Sequence, residues 1–109
     1  DVLGVYYRSV DEGLPGPLEE IFDPAWHMKN HESGQIVCED RDQFLRRISA
    51  GPTVAYARDR QVADVQIIYD QLAYVRIDKP SSPGVTVFLF FKVDGRWRIV
   101  DKAWSTARK

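Results

Sequence analysis

At 109 residues the chain is long enough for one hydrophobic core and too short for two, so one domain spanning residues 1–109 is expected. Hydrophobic residues make up 44% and charged residues 28%, an ordinary balance for a globular domain, and no apolar run approaches the ~20 residues needed to span a bilayer. Net charge is −1, and the arginines are interleaved with acids, as in Arg41-Asp42 and Arg58-Asp59-Arg60, which argues against a nucleic-acid binder with its basic stripe.

The single cysteine, Cys38, excludes an intrachain disulfide and leaves no metal-ligand spacing around it, which fits a reducing, cytoplasmic setting. Asp1 to Val10 contains acid and lacks a basic n-region, so no retained secretory signal is expected there. The missing initiator Met suggests a trimmed or processed chain, with residues of the first helix upstream.

Leu3, Tyr6, Tyr7 and Val10 fall at i, i+3, i+4 and i+7, one stripe of a first helix. Gly13 and Pro15-Gly16-Pro17 end it, and Leu18, Ile21 and Phe22 mark a second, short helix that Asp23-Pro24 stops. From Ala25 the period is two: Trp26, Met28 and Asn30 point one way, His27, Lys29 and His31 the other. Ser33-Gly34 reads as a turn into a short strand, Ile36-Val37-Cys38. Asp40, with Gln43 three residues on, is a capping-box start for a third helix whose apolar face is Phe44, Leu45 and Ile48, closed by Gly51-Pro52.

Residues 53–62 carry no period and read as a loop. Val65, Ile67 and Tyr69 alternate as a strand, Asp70-Gln71 turns, and Leu72 to Ile77 runs back. After a loop over 79–84, Val85 to Val93 and Arg96 to Trp104 form a long hairpin about Asp94-Gly95, a dipeptide suited to a tight primed turn. The order is three helices interspersed with a strand pair, then a four-strand meander: an α+β domain.

The last hairpin is apolar on both parities. Phe88 and Phe90 fall on one face, and Val87, Leu89 and Phe91 fall on the other. If helices cover the first face, the second needs its own cover, and a homodimer through the outer sheet face is the simplest expectation; helix and loop wrapping both faces is the alternative. With Asp94 and Gly95 as the loop, Phe90 lies opposite Ile99 and Phe88 opposite Asp101. Trp97, Ile99, Asp101 and Ala103 then share the helix-covered face. A carboxylate there is costly unless paired or neutralised, so Asp101 reads either as a pocket acid or as a rim carboxylate paired with Lys29 or Arg76.

The segment Lys92 to Lys102 resembles the last hairpin of nuclear transport factor 2-like proteins. It is most similar to the lumazine-binding-like branch and its polyketide cyclase-like relatives. The N-terminal helix with a tyrosine, the phrase Ile21-Phe22-Asp23-Pro24-Ala25 and the capped helix from Asp40 extend the likeness over nearly the whole chain. The resemblance implies a cone-shaped curved antiparallel sheet with three helices packed on its concave face, a pocket between them, and frequent dimers. It does not imply one activity, since relatives include isomerases, dehydratases, cyclases and non-catalytic domains.

Isomerases of this superfamily use a pocket carboxylate base with a helix-1 tyrosine. Tyr6 or Tyr7 occupies that helix position, with Tyr7 the chosen candidate, but the inward parity at the base's neighbourhood ends in Asn30, which cannot abstract a proton. His27 and His31 fall on the parity opposite Trp26 and Met28. No nucleophile–base motif, metal-ligand set or cofactor signature can be read.

The residues therefore support a small-molecule-binding domain with walls of Tyr7, Trp26, Met28, Phe44, Phe88, Phe90 and Trp97, in which Asn30 and Asp101 orient the ligand. As plain structure, the same aromatics are core. Two alternatives stand beside it. One is an isomerase, dehydratase or cyclase with Asp101 as acid–base and Tyr7 as hydrogen-bond donor; the other is a dimeric interaction module with a filled interior.

Overall fold

The computed structural model describes residues 2–32, 34–51, 60–81 and 84–106. Two helices come first, α1 (Val2–Glu12) and α2 (Pro15–Ile21), followed by strands β1 (Phe22–Glu32) and β2 (Gln35–Asp40) and helix α3 (Arg41–Ser49). Strands β3 (Gln61–Ile68), β4 (Leu72–Lys79), β5 (Gly84–Val93) and β6 (Arg96–Thr106) complete the chain. The six strands form one curved, unclosed sheet in the order β2-β1-β6-β5-β4-β3, with the three helices on its concave side.

The sheet is mixed, which corrects the expectation of a wholly antiparallel one. β1 and β6 run parallel, Met28 opposite Lys102 and Asn30 opposite Trp104. Parallel neighbours require a long crossover, and here the β1–β2 hairpin, α3 and the β3–β5 meander together provide it.

Local chemistry explains the elements. α2 carries proline in its first turn, where the missing N–H costs nothing, and buries Leu18 completely. At α3 the Asp40 carboxylate accepts from the Gln43 N–H at 2.8 Å, while the Gln43 amide oxygen accepts from the Asp40 N–H at 2.8 Å. Two backbone donors at the start of the helix are thereby satisfied reciprocally. Asp94 and Gly95 adopt φ of 52° and 78°, the paired positive values of a primed turn, and Val93 pairs with Arg96.

The other meander turn is displaced from its expected place. Tyr69 and Asp70 take the positive φ values, 53° and 55°, so Tyr69 stands at the tip, 92% exposed, rather than in a strand. β3 begins at Gln61, earlier than the loop expected over 53–62, of which residues 53–59 lie outside the described residues. Ser33, Pro52, Ser82 and Pro83 of the expected turns lie outside them too.

The core is an aromatic cluster under the helices. Phe22 and Trp26 stack at 4.3 Å with an interplanar angle of 7°, Trp26 meets Phe44 at 4.9 Å, and Tyr6 meets Phe88 edge-on at 5.1 Å. All five side chains are fully buried, so the deep end of the cone is filled by rings.

Candidate functional site

One irregularity decides which side chains reach the interior. In the β5–β6 hairpin Phe90 faces Ile99 and Leu89 faces Asp101, leaving Val100 as an extra residue. A bulge of this kind reverses the facing of every residue beyond it. Phe88 therefore sits opposite Lys102, not opposite Asp101 as a regular strand requires. Trp97 and Ile99 keep the expected facing; Asp101 and Ala103 do not.

Asp101 accordingly lies on the outer face. Both its carboxylate oxygens accept from Lys29 Nζ at 3.2 Å, and one also accepts from the Lys102 backbone N–H at 2.9 Å. Its side chain is 34% exposed. The placement takes Asp101 out of the interior and away from Tyr7, so the two do not converge on one reacting atom.

Lys102 takes the inward position. Its Nζ donates to Tyr6 Oη at 2.7 Å. The rings of Tyr6, Phe44 and Phe88 surround the amine, with centroids at 5.2, 5.8 and 5.9 Å. Among the described residues no carboxylate pairs with it: Glu39, an acid that acts on it, is itself held by Arg47 at 2.9 Å. Burial, reinforced by Lys79, Arg47 and Arg60, pushes the amine down to about 7. The residue as a whole is half-buried, so part of it remains within reach of solvent.

A cavity of about 360 Å³ opens between α3 and strands β1, β2 and β6, and Lys102 is not among its lining residues. Met28 and Trp104, the residues flanking Lys102 across and along the sheet, form one wall; Asn30, Gln43 and Arg47 supply polar groups. Of the residues expected to line a pocket, Met28 and Asn30 do so here. Trp26, Phe44 and Phe88 are packed core.

Phe90 and Trp97 line a different concavity. It is an open groove of about 450 Å³, bounded also by Val2, Leu3, Val62, Val65, Ile67, Ala73 and Val75. β3, exposed along its whole length, forms its outer wall.

Tyr7 points elsewhere again. Arg60 lies over its ring at 4.0 Å and grips Asp11 through two hydrogen bonds of 2.8 and 2.7 Å. Burial pushes the Tyr7 hydroxyl well above the usual phenol range, against the opposing pull of Arg60. It is Tyr6, one residue earlier, that meets the interior amine.

Residues 1–105 match the family described as "Putative lumazine-binding". The chain belongs to this family. No curated protein sequence matches it significantly. Its fold is that of solved NTF2-like proteins. One of unknown function from Silicibacter pomeroyi superposes with a TM-score of 0.78 at 19% identity, covering 94% of this chain and 87% of the other. Another, from Shewanella baltica, gives 0.78 at 18% identity, covering 99% and 90%. A third, from Rhodospirillum rubrum and described as of unknown function in nutrient uptake, gives 0.78 at 13% identity, covering 98% and 96%.

In this lumazine-binding-family domain the residue that sequence reading missed is Lys102. The signal was present. Trp97 and Ile99 share a parity, whereas Trp104 lies five residues beyond Ile99 and so on the opposite one. A strand whose large apolar residues change parity needs a bulge to bury them all.

Proposed function

We propose that this domain binds a small planar molecule in the cavity between α3, β1, β2 and β6. One observation carries the reading: that cavity joins an apolar wall of Met28, Val37 and Trp104 to the amides of Asn30 and Gln43. Its volume of about 360 Å³ falls within the range of small-molecule sites. The Asn30 amide offers both a donor and an acceptor, and the Gln43 amide, whose oxygen accepts from the Asp40 N–H, offers its NH2 donor; ring carbonyl and ring N–H groups need such partners. A flat bicyclic heterocycle such as lumazine, which the family description names, presents such groups along one edge.

The test is a titration with lumazine followed by tryptophan fluorescence, Trp104 being the reporter in the wall. Saturable quenching that weakens about tenfold in Asn30→Leu is expected, the loss of one well-formed buried hydrogen bond. Quenching that is unchanged in Asn30→Leu, or absent at millimolar lumazine, would sink the reading.

A second reading concerns the outer sheet face, and the exposure of Phe91 at 49% and Leu89 at 36% favours it. We infer a homodimer through that face, since two copies would cover each other's apolar surface. The exposed free Cys38 supports a cytoplasmic, reducing setting for both readings.

A further inference from the structure

We propose that Glu39 sets the ligand class of this cavity: a flat ring with an amino group beside a ring N–H, in preference to a ring with carbonyls on both sides of that N–H. The inference rests on the cavity reading and deepens it by naming what the ligand must present along its bound edge. It stands on which atoms of the lining donate, which accept, and which are already engaged.

Three polar side chains of the lining come from adjoining elements. In the β1–β2 hairpin Met28 lies opposite Glu39 and Asn30 opposite Val37. Met28 and Asn30 are buried on the inward face, so Glu39 shares that face as the diagonal neighbour of Asn30. Gln43 approaches from the first turn of α3, and all three line the cavity. Asn30 is 7% exposed, and its carboxamide makes no hydrogen bond with another described residue. Its donor and its acceptor are both left for whatever fills the cavity.

Glu39 is a fixed acceptor. Arg47 Nε and Nη2 donate to its two oxygens at 3.0 and 2.9 Å. A carboxylate has roughly four lone-pair positions, so this arginine fork takes half of them and leaves the rest to accept from a ligand. The pair also compensates the charge, which lets an acid stand in the wall with its side chain 19% exposed. Gln43 is the opposite case: its oxygen is taken by the Asp40 N–H at 2.8 Å, so its NH2 is what remains.

The lining thus offers one fixed acceptor, one fixed donor and one amide free to be either. A ring carbonyl satisfies Gln43. The same group against Glu39 sets oxygen against oxygen and leaves both unpaired, whereas an amino group there donates. A site built to accept a hydrogen bond rejects the analogue that cannot give one.

Pterin and lumazine are matched probes, because pterin carries an amino group where lumazine carries one of its two carbonyls. Isothermal titration calorimetry on the intact protein should return pterin at least about tenfold tighter, the difference of one hydrogen bond to a charged group. Glu39→Gln, whose amide can donate to a carbonyl or accept from an amine, should bring the two ligands close to equality. The comparison in the parent does not depend on that variant folding: guanine and xanthine, which differ by the same exchange, should repeat the order. Lumazine binding to the parent as tightly as pterin overturns the proposal and leaves the cavity reading standing. So does a preference for pterin that persists undiminished in a folded Glu39→Gln. If neither pteridine binds at millimolar concentration, the cavity reading falls and this inference falls with it.

Discussion

Tyr6 Oη and Lys102 Nζ lie 2.7 Å apart and join the first helix to the last strand across the aromatic core. Ring faces make poor replacements for water around an ammonium, and one hydroxyl satisfies only one of its three donors. The folded state therefore favours the neutral amine, while the unfolded chain favours the charged one.

Stability should consequently rise with pH through the window set by this lysine. Its folded pKa is lowered to about 7 from the ordinary 10.5, so between those values the unfolded chain binds more protons than the folded one. The penalty is full below about pH 7 and has gone above pH 10.5. Lys102→Met, of similar length and no charge, should remove it. Urea denaturation should find the variant more stable than the parent at pH 6, by on the order of 3 kcal/mol, with the gap closing by pH 10. A parent whose stability does not change between pH 7 and 10 would contradict this.

Two aspartates separate a structural ion pair from a superficial one. Asp11 and Arg60 are held by two short bonds, with side chains 16% and 11% exposed, and Arg60 lies on the Tyr7 ring. Removing the acid strands a nearly buried guanidinium, so Asp11→Ala should cost about 2 kcal/mol or more. Asp101 and Lys29 meet at 3.2 Å with side chains 34% and 46% exposed, and Asp101→Ala should change stability by less than about 1 kcal/mol. Thermal denaturation of the two variants side by side checks the ranking.

These contrasts show how far the sequence could be read. Helical stripes, the Asp40 cap, the Asp94-Gly95 turn and the inward parity of Trp26, Met28 and Asn30 all follow from local rules, and the fold comes with them. The interior of β6 was not legible by the same means. Alternation counts residues faithfully until a bulge adds one, and a single added residue exchanges Asp101 for Lys102 on the inward face of the strand. The parallel β1–β6 pairing is equally hidden, because it joins segments at opposite ends of the chain.

The cap at α3 offers a test of local against tertiary stabilisation. Its nine residues are too few to hold a helix alone, and the reciprocal Asp40–Gln43 bonds satisfy its first turn. Asp40→Ala should destabilise the fold by about 1 kcal/mol. Asp40→Asn should recover most of that, since its amide oxygen can accept the same bond. Circular dichroism through a urea titration would measure both, and equal losses in the two variants would show that charge rather than the hydrogen bond matters.

Association through the outer face makes the last prediction. Phe91 and Leu72 are paired across β4 and β5, Leu72 faces Ile68 of β3, and Leu89 lies opposite Tyr74. These residues share the sheet surface that carries none of the helices. Phe91 and Ile68 stay 49% and 44% exposed in a single chain, an arrangement that a second copy would bury at the centre of a two-fold contact. Sedimentation should therefore return a dimer for the parent and a monomer for Phe91→Glu, whose carboxylate would be desolvated against apolar surface. The variant should keep its fold, because position 91 lies outside the core. A parent that sediments as a monomer at high micromolar concentration would refute the contact.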